Sequence, residues 1–152
     1  MKIISHRGNI CGPVIEKENR PSYIDSAIQL GYEVEVDLRF INNDFWLGHD
    51  YEQYKIELSW MEPRKEKLWF HCKDINSALE LTKLNNGYKF FCHSNDSYVL
   101  TSTNNLWVHD LKGKLDENCI IPLLNEKDIK SYNNETPYAI CTDFVNLIKN
   151  EK

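Results

Sequence analysis

One uninterrupted run constrains the fold more than any other. Tyr32–Phe40 reads as a single strand in which Glu35 and Asp37 alternate with Val34, Val36 and Leu38. Successive side chains on a strand point to opposite faces, so the two carboxylates share one face and the three aliphatics the other. The continuity of the run argues that both faces are buried. Two acids on the inner face of a buried strand repel each other, and they are costly there unless a cation joins them. Oxygen ligands of this kind suit Mg²⁺ or Ca²⁺.

Shorter strand-like runs recur at Lys2–Ser5, Phe45–Gly48, Leu68–Cys72, Tyr88–Cys92, Leu106–His109, Cys119–Leu123 and Tyr138–Cys141. Several are rich in the β-branched and aromatic residues that strands favour. Helical patterns lie between some of them. Arg20-Pro21-Ser22 opens a helix that runs to Leu30 and stops at Gly31. Asp74–Leu84 carries apolar Ile75, Ala78, Leu79 and Leu81 and ends at Asn85-Asn86-Gly87. Asn146–Asn150 reads as a short C-terminal turn.

Strand alternating with helix predicts an α/β fold with a parallel sheet. His6, Asp37, His49, Lys73, His93, Asp110, Glu126 and Asp143 sit where apolar runs end. Parallel strands bring their C-terminal ends to one rim, which is where β/α barrels keep their active sites. The 152 residues suggest one domain over 1–152, but a full barrel takes roughly 200 residues or more. A reduced or distorted TIM (β/α) barrel with few outer helices is therefore expected. Phe40 to Phe45 is too short for a parallel crossover. Asn42-Asn43-Asp44 is turn chemistry and predicts a hairpin centred on Asn43, with Asp37 opposite His49 and Phe40 opposite Trp46.

Composition removes several classes. The net charge is −5 and no Lys/Arg run stands out, which disfavours general nucleic-acid binding. An apolar content of 41% supports an ordinary core. No apolar run is long enough to span a membrane, and Lys2-Ile3-Ile4 leads directly to His6 without a signal-peptide pattern. Cys11, Cys72, Cys92, Cys119 and Cys141 show no CxxC spacing. They read as reduced thiols, and a cytoplasmic location is expected.

His6 and His49 are the candidate proton movers, because imidazole can act as acid or base near neutral pH. Arg7 could clamp phosphate oxygens with its fork of donors, and Lys73 could serve the same anion as a point charge. His71 and Lys73 share one face of their strand. His71 is either a further metal ligand or a hydrogen-bonded core histidine. Nothing singles out His93 or His109. Trp46 and Tyr51 flank His49 and could wall a pocket.

His6-Arg7-Gly8, Glu18-Asn19, Glu35-Val36-Asp37-Leu38 and Gly48-His49-Asp50 together resemble the glycerophosphodiester phosphodiesterase family, whose motifs read H-R-G, E-N-T, E-x-D-V and H-D. Cys141-Thr142-Asp143-Phe144 is similar to that family's closing strand. The resemblance covers the first fifty residues well and the middle of the chain only by pattern. It implies a TIM-barrel phosphodiesterase of the phospholipase C-like type. It also implies His6 and His49 as acid and base, Arg7 as a phosphate contact, and Glu35 and Asp37 as metal ligands. The family's E-x-K strand is represented by His71-Cys72-Lys73, with histidine in place of a carboxylate. Glu18 falls on the E-N motif, as a ligand or as a group that orients Arg7 or a ligand, and Arg20 stands where threonine is usual. The implied cofactor is a divalent ion, Mg²⁺ or Ca²⁺ first and Mn²⁺ or Zn²⁺ as alternatives. The expected partner is a small phosphodiester, cleaved to an alcohol and glycerol phosphate. The alternatives are a lysophospholipid, phosphoinositol or glycan-linked diester, or a non-catalytic phosphate-ester binding module. The oligomeric state is left open.

Overall fold

The computed structural model describes residues 1–113, 115–132 and 136–149. In chain order the strands are β1 (Lys2–His6), β2 (Glu33–Ile41), β3 (Asp44–Leu47), β4 (Tyr54–Ile56), β5 (Leu68–Cys72), β6 (Lys89–Phe91), β7 (Tyr98–Leu100), β8 (Leu106–Val108), β9 (Cys119–Pro122) and β10 (Ala139–Thr142). The helices are α1 (Pro21–Gln29), α2 (Leu58–Met61), α3 (Ile75–Leu84), α4 (Glu126–Ser131) and α5 (Val145–Lys149).

Strand β2 organises the sheet because three strands pair with it. Along one edge its first half runs parallel to β1 and its second half antiparallel to β3. Along the other edge it runs parallel to β5. The order β4-β3-β2-β1-β10-β9-β8-β7 continues from the first edge, and β5 carries β6 on the second. The two ends of the curl approach through Ser102, by both its backbone and its side chain. Ser102 Oγ accepts from Phe90 N at 2.9 Å, and Ser102 N donates to Phe90 O at 2.9 Å.

The reduced TIM (β/α) barrel expected from the sequence is not the fold. The described residues form a mixed sheet of 10 strands curled into a half-barrel, with 5 short helices that do not alternate regularly with the strands. Linker length is the physical reason. A parallel crossover takes about a dozen residues, and the links flanking β3 and β7 are too short for one. They turn back instead, so β3–β4 and β7–β8 pair antiparallel. Parallel β8 and β9 are joined by a segment that holds no helix among its described residues. The strands and α-helices missing from the sequence reading, β4, β7, α2 and α4, are each 3 to 6 residues long. The predicted C-terminal turn is α5; Asn150 lies outside the described residues. No helix among the described residues is long and apolar enough to cross a membrane.

Strand alternation sorts the core into layers. Val34, Val36 and Leu38 of β2 pack outward with Leu68 and Phe70 of β5 against Ile24 and Ala27 of α1 and Leu81 of α3. A second outer layer joins Ile121 and Ile140 to Ile129 of α4 and Ile148 of α5. Each such aliphatic taken fully out of water contributes about 1.5–3 kcal/mol. Inside the curl, Ile4, Trp69, Phe91, Trp107, Ile120 and Cys141 fill the middle. One end is plugged by Glu33, which holds Lys89 at 2.8 Å, Lys2 at 2.7 Å and Trp69 Nε1 at 2.6 Å. The other end, one inward position further along each strand, carries the polar side chains.

The predicted hairpin forms, shifted by one residue. Phe40 pairs with Phe45 and Ile41 with Asp44, so Asp37 is not directly opposite His49. Asn42 and Asn43 have φ of 52° and 65°, as a two-residue type I′ turn requires, and its twist matches that of the strands. The expected register assumed a three-residue turn.

Candidate active site

The end of β1 turns sharply. Arg7 has φ 54° and Gly8 φ 93°, both in the left-handed region that glycine tolerates best. A Cβ on Gly8 would stand 2.8 Å from Tyr23 Cδ1. Beyond the turn, Arg7 Nε lies 2.9 Å from Asp37 Oδ2, and Nη1 donates to Glu18 Oε2 at 3.0 Å. Asn19 clamps the same carboxylate strand. Its Nδ2 donates to Asp37 Oδ2 at 2.8 Å, and its Oδ1 accepts from Asp37 N at 2.9 Å.

Glu35 and Asp37 are 2% and 0% exposed. His71 of β5 pairs in register with Asp37. One ligand atom from each of these three residues lies within 4.8 Å of the others. Glu35 Oε2 and Asp37 Oδ1 are buried and accept no hydrogen bond. His71 Nε2 is 3.2 Å from His93 O, which can only accept, so Nε2 carries the proton in that contact. Its Nδ1 faces the carboxylates, 3.4 Å from Asp37 Oδ1 and 3.7 Å from Glu35 Oε1, and offers them a proton when the ring is charged or a lone pair to a cation when it is neutral. With the ring neutral, lone pairs of all three residues converge in a buried space, an arrangement that a cation satisfies. Burial, reinforced by the Asp37 charge, raises the Glu35 carboxyl above its usual range. Burial also opposes ionisation of Asp37, but His71, Arg7 and Asn19 outweigh it and hold that carboxyl well below the usual range.

His6 stands beside this group. Its Nδ1 donates to Asp143 Oδ1 at 2.8 Å, and its Nε2 lies 3.7 Å from Glu35 Oε2. Burial disfavours the imidazolium, yet the Asp143 hydrogen bond and the Glu35 charge prevail and raise its pKa. Asp143 also accepts from Asn9 Nδ2 at 2.7 Å, and that amide donates to Glu18 Oε1 at 2.9 Å. His49 follows β3 on an exposed rim, where its Nδ1 lies 2.8 Å from Asp50 Oδ1. Arg39 pins this loop by donating to the carbonyls of Gly48 and His49. Lys73 Nζ is 3.9 Å from Asp37 Oδ1.

His6, Arg7, Glu35, His49, His71 and Lys73 line one cavity of about 560 Å³. Asp37 lies beneath them, reached by Arg7, His71 and Lys73. Glu18 is engaged by Arg7 and Asn9 and is not among the three clustered donors. His93 and His109 also line the cavity, with rings stacked at 3.7 Å. Burial, with the charges of His93 and His71, pulls His109 down to about 4. Three residues had no assigned role in the sequence reading: Asn9, Asn19 and Asp143. Asp143 had been placed on the rim with His6, but their pairing became legible only with the strand order, since β10 pairs with β1 at Ser5 and Thr142 and the next residues are His6 and Asp143. No protein-family model, curated protein or solved structure matches the chain.

Proposed function

We propose that this chain is a divalent-metal-dependent phosphodiesterase acting on small glycerophosphodiesters. The observation that carries the reading is the buried trio Glu35, Asp37 and His71, with two carboxylate oxygens lacking partners, beside a histidine tethered by a carboxylate in the same cavity. The motif resemblance over the first fifty residues supports the same activity. Glu35, Asp37 and His71 would hold the ion. When bound, it supplies Lewis-acid polarisation of a phosphoryl oxygen; Mg²⁺ or Ca²⁺ suits the two carboxylates, and the imidazole admits Mn²⁺ or Zn²⁺.

The chain's own groups do the rest. Asp143 fixes His6 with Nδ1 protonated, so Nε2 is the atom that exchanges a proton in the cavity. His49 is the second imidazole on the cavity lining. One of the pair takes the proton of the attacking hydroxyl, from water or from the substrate itself, and the other returns one to the leaving oxygen. Lys73 and Arg7 face the same cavity and offset the charge of the phosphate. Arg7 is held in place by Asp37 and Glu18, so its orientation is set before substrate arrives.

The test is release of glycerol phosphate from a panel of glycerophosphodiesters with Mg²⁺, Ca²⁺, Mn²⁺ or Zn²⁺, with His6→Ala as control. Metal-dependent release that vanishes in His6→Ala supports the proposal. Phosphodiester binding without turnover under any of these ions would replace it with the binding-module reading.

A further inference from the structure

The outward face behind the site holds a feature the phosphodiesterase reading does not use. Cys72 closes β5 and Cys92 follows the end of β6, and the parallel register pairs His71 with Phe91. The next residues in that register are Cys72 and Cys92. Strand alternation turns both away from the cavity that His71, Lys73, Phe91 and His93 line. Both are free thiols, Cys72 buried and Cys92 exposed. Neighbouring strands run about 4.8 Å apart, inside the Cα separation of roughly 4.4–6.8 Å that a disulfide tolerates. Cys92 lies past the last paired residue of β6, so no ladder bond fixes it there. Both cysteines line a shallow opening of about 340 Å³ near the start of α3, which gives solutes a path to the pair.

We propose that Cys72 and Cys92 form a redox modification site that closes reversibly to a disulfide when a hydroperoxide reaches it. Cys92 is the entry point because it is the exposed member of the pair. With hydrogen peroxide, its sulfur attacks one oxygen, an S–O bond forms, the O–O bond breaks, and the other oxygen takes the Cys92 proton and leaves as water. The sulfenic acid so formed is attacked by the Cys72 sulfur. An S–S bond forms, the S–O bond breaks, and a second water leaves with the Cys72 proton. The peroxide gains the two electrons that the thiols lose. The bond ties the strand carrying His71 and Lys73 to the segment whose His93 carbonyl holds His71 Nε2. The modification is independent of the activity proposed above, because it needs only the two thiols.

The experiment exposes the folded full chain to hydrogen peroxide, blocks remaining thiols with iodoacetamide, and maps peptides by mass. The expected result is joint loss of Cys72 and Cys92 from alkylation, a joined peptide pair within one chain, and recovery of both thiols with dithiothreitol. In Cys72→Ser, Cys92 should stop at a sulfenic acid that dimedone traps, a readout that needs no metal and no substrate. Two results overturn the proposal. One is Cys92 oxidised to sulfinic acid, or bridged to another chain, while Cys72 stays free in the unsubstituted protein. The other is both thiols still alkylated after peroxide treatment.

Discussion

Asp143 gives the site its most testable residue-level property. Its carboxylate raises the His6 pKa against the cost of burial, so the two form a charge-assisted pair while His6 is protonated. The pair stabilises the fold fully below the unfolded histidine value of about 6.5, and the contribution is lost as pH rises through the elevated folded value. Asp143→Asn should therefore lower the His6 pKa, read by NMR titration of the ring protons. It should also destabilise the protein more at pH 6 than at pH 9 in thermal melts; an equal loss at both would refute the pairing. Replacing His6 or His49 by Ala should cost roughly 10²–10⁴-fold in turnover, with cation binding by His49→Ala unchanged in calorimetry. Glu35 behaves oppositely to Asp37. Its carboxyl is raised by burial and by its neighbour's charge, and protons compete with a cation for it above the usual glutamate range. Cation affinity should fall with acidification before an ordinary glutamate near 4.3 would protonate, measured by titration at a series of pH values. The pairing of Glu35 and Asp37 on one inner face was legible because strand alternation is local. The partners of Asp143 and Asn9 were not, since they lie across strands whose order the sequence does not state.

At the scale of elements, the two main helices follow their end signals closely. Pro21 opens α1, and Asp74 caps α3 by accepting from Ser77 N at 2.7 Å. Asp74 also accepts from Phe40 N at 3.1 Å, so it joins α3 to the C-terminal half of β2. Asp74→Ala should cost about 0.5–2 kcal/mol for the cap, with a further loss from the unpaired Phe40 amide, measured by denaturant unfolding. The β2–β3 hairpin shows where element-level reading stops. Its existence followed from Asn42-Asn43-Asp44, but its register depended on whether two or three residues turn. The observed pairing of Phe40 with Phe45, rings 4.8 Å apart, moves every opposition by one. β4 and β7 lacked a legible signal for a different reason: they are as short as β6 and β8, but they close the two ends of the main strand order and bury little, with Tyr98 and Leu100 exposed, so no buried face marks them.

For the whole molecule, inward parity was correct even though the architecture was not. His6, Asp37, Lys73 and Asp143 come to one end of the curl because the β1, β2, β5 and β10 strands run in parallel. What the sequence could not state is how the sheet curls and which links turn back. The edges meet at Ser102 rather than by a continuous ladder, a contact invisible before the fold is known. At the polar end of the curl Glu35 Oε2 and Asp37 Oδ1 lack partners, and the proposed ion there would have a global consequence. A ligand present at 100 times its Kd stabilises a native state by about 2.7 kcal/mol, which for a domain of this size raises Tm by very roughly 5–11 °C. Chelated protein should gain that stability on addition of a saturating divalent ion. The most direct test of the site is calorimetric titration of chelated protein with Mg²⁺, Ca²⁺, Mn²⁺ and Zn²⁺ in turn, comparing the unsubstituted chain with Asp37→Asn and Glu18→Gln. The account predicts a single binding event for at least one ion, abolished in Asp37→Asn and kept in Glu18→Gln. Absence of binding by every ion, or binding unchanged in Asp37→Asn, would contradict it.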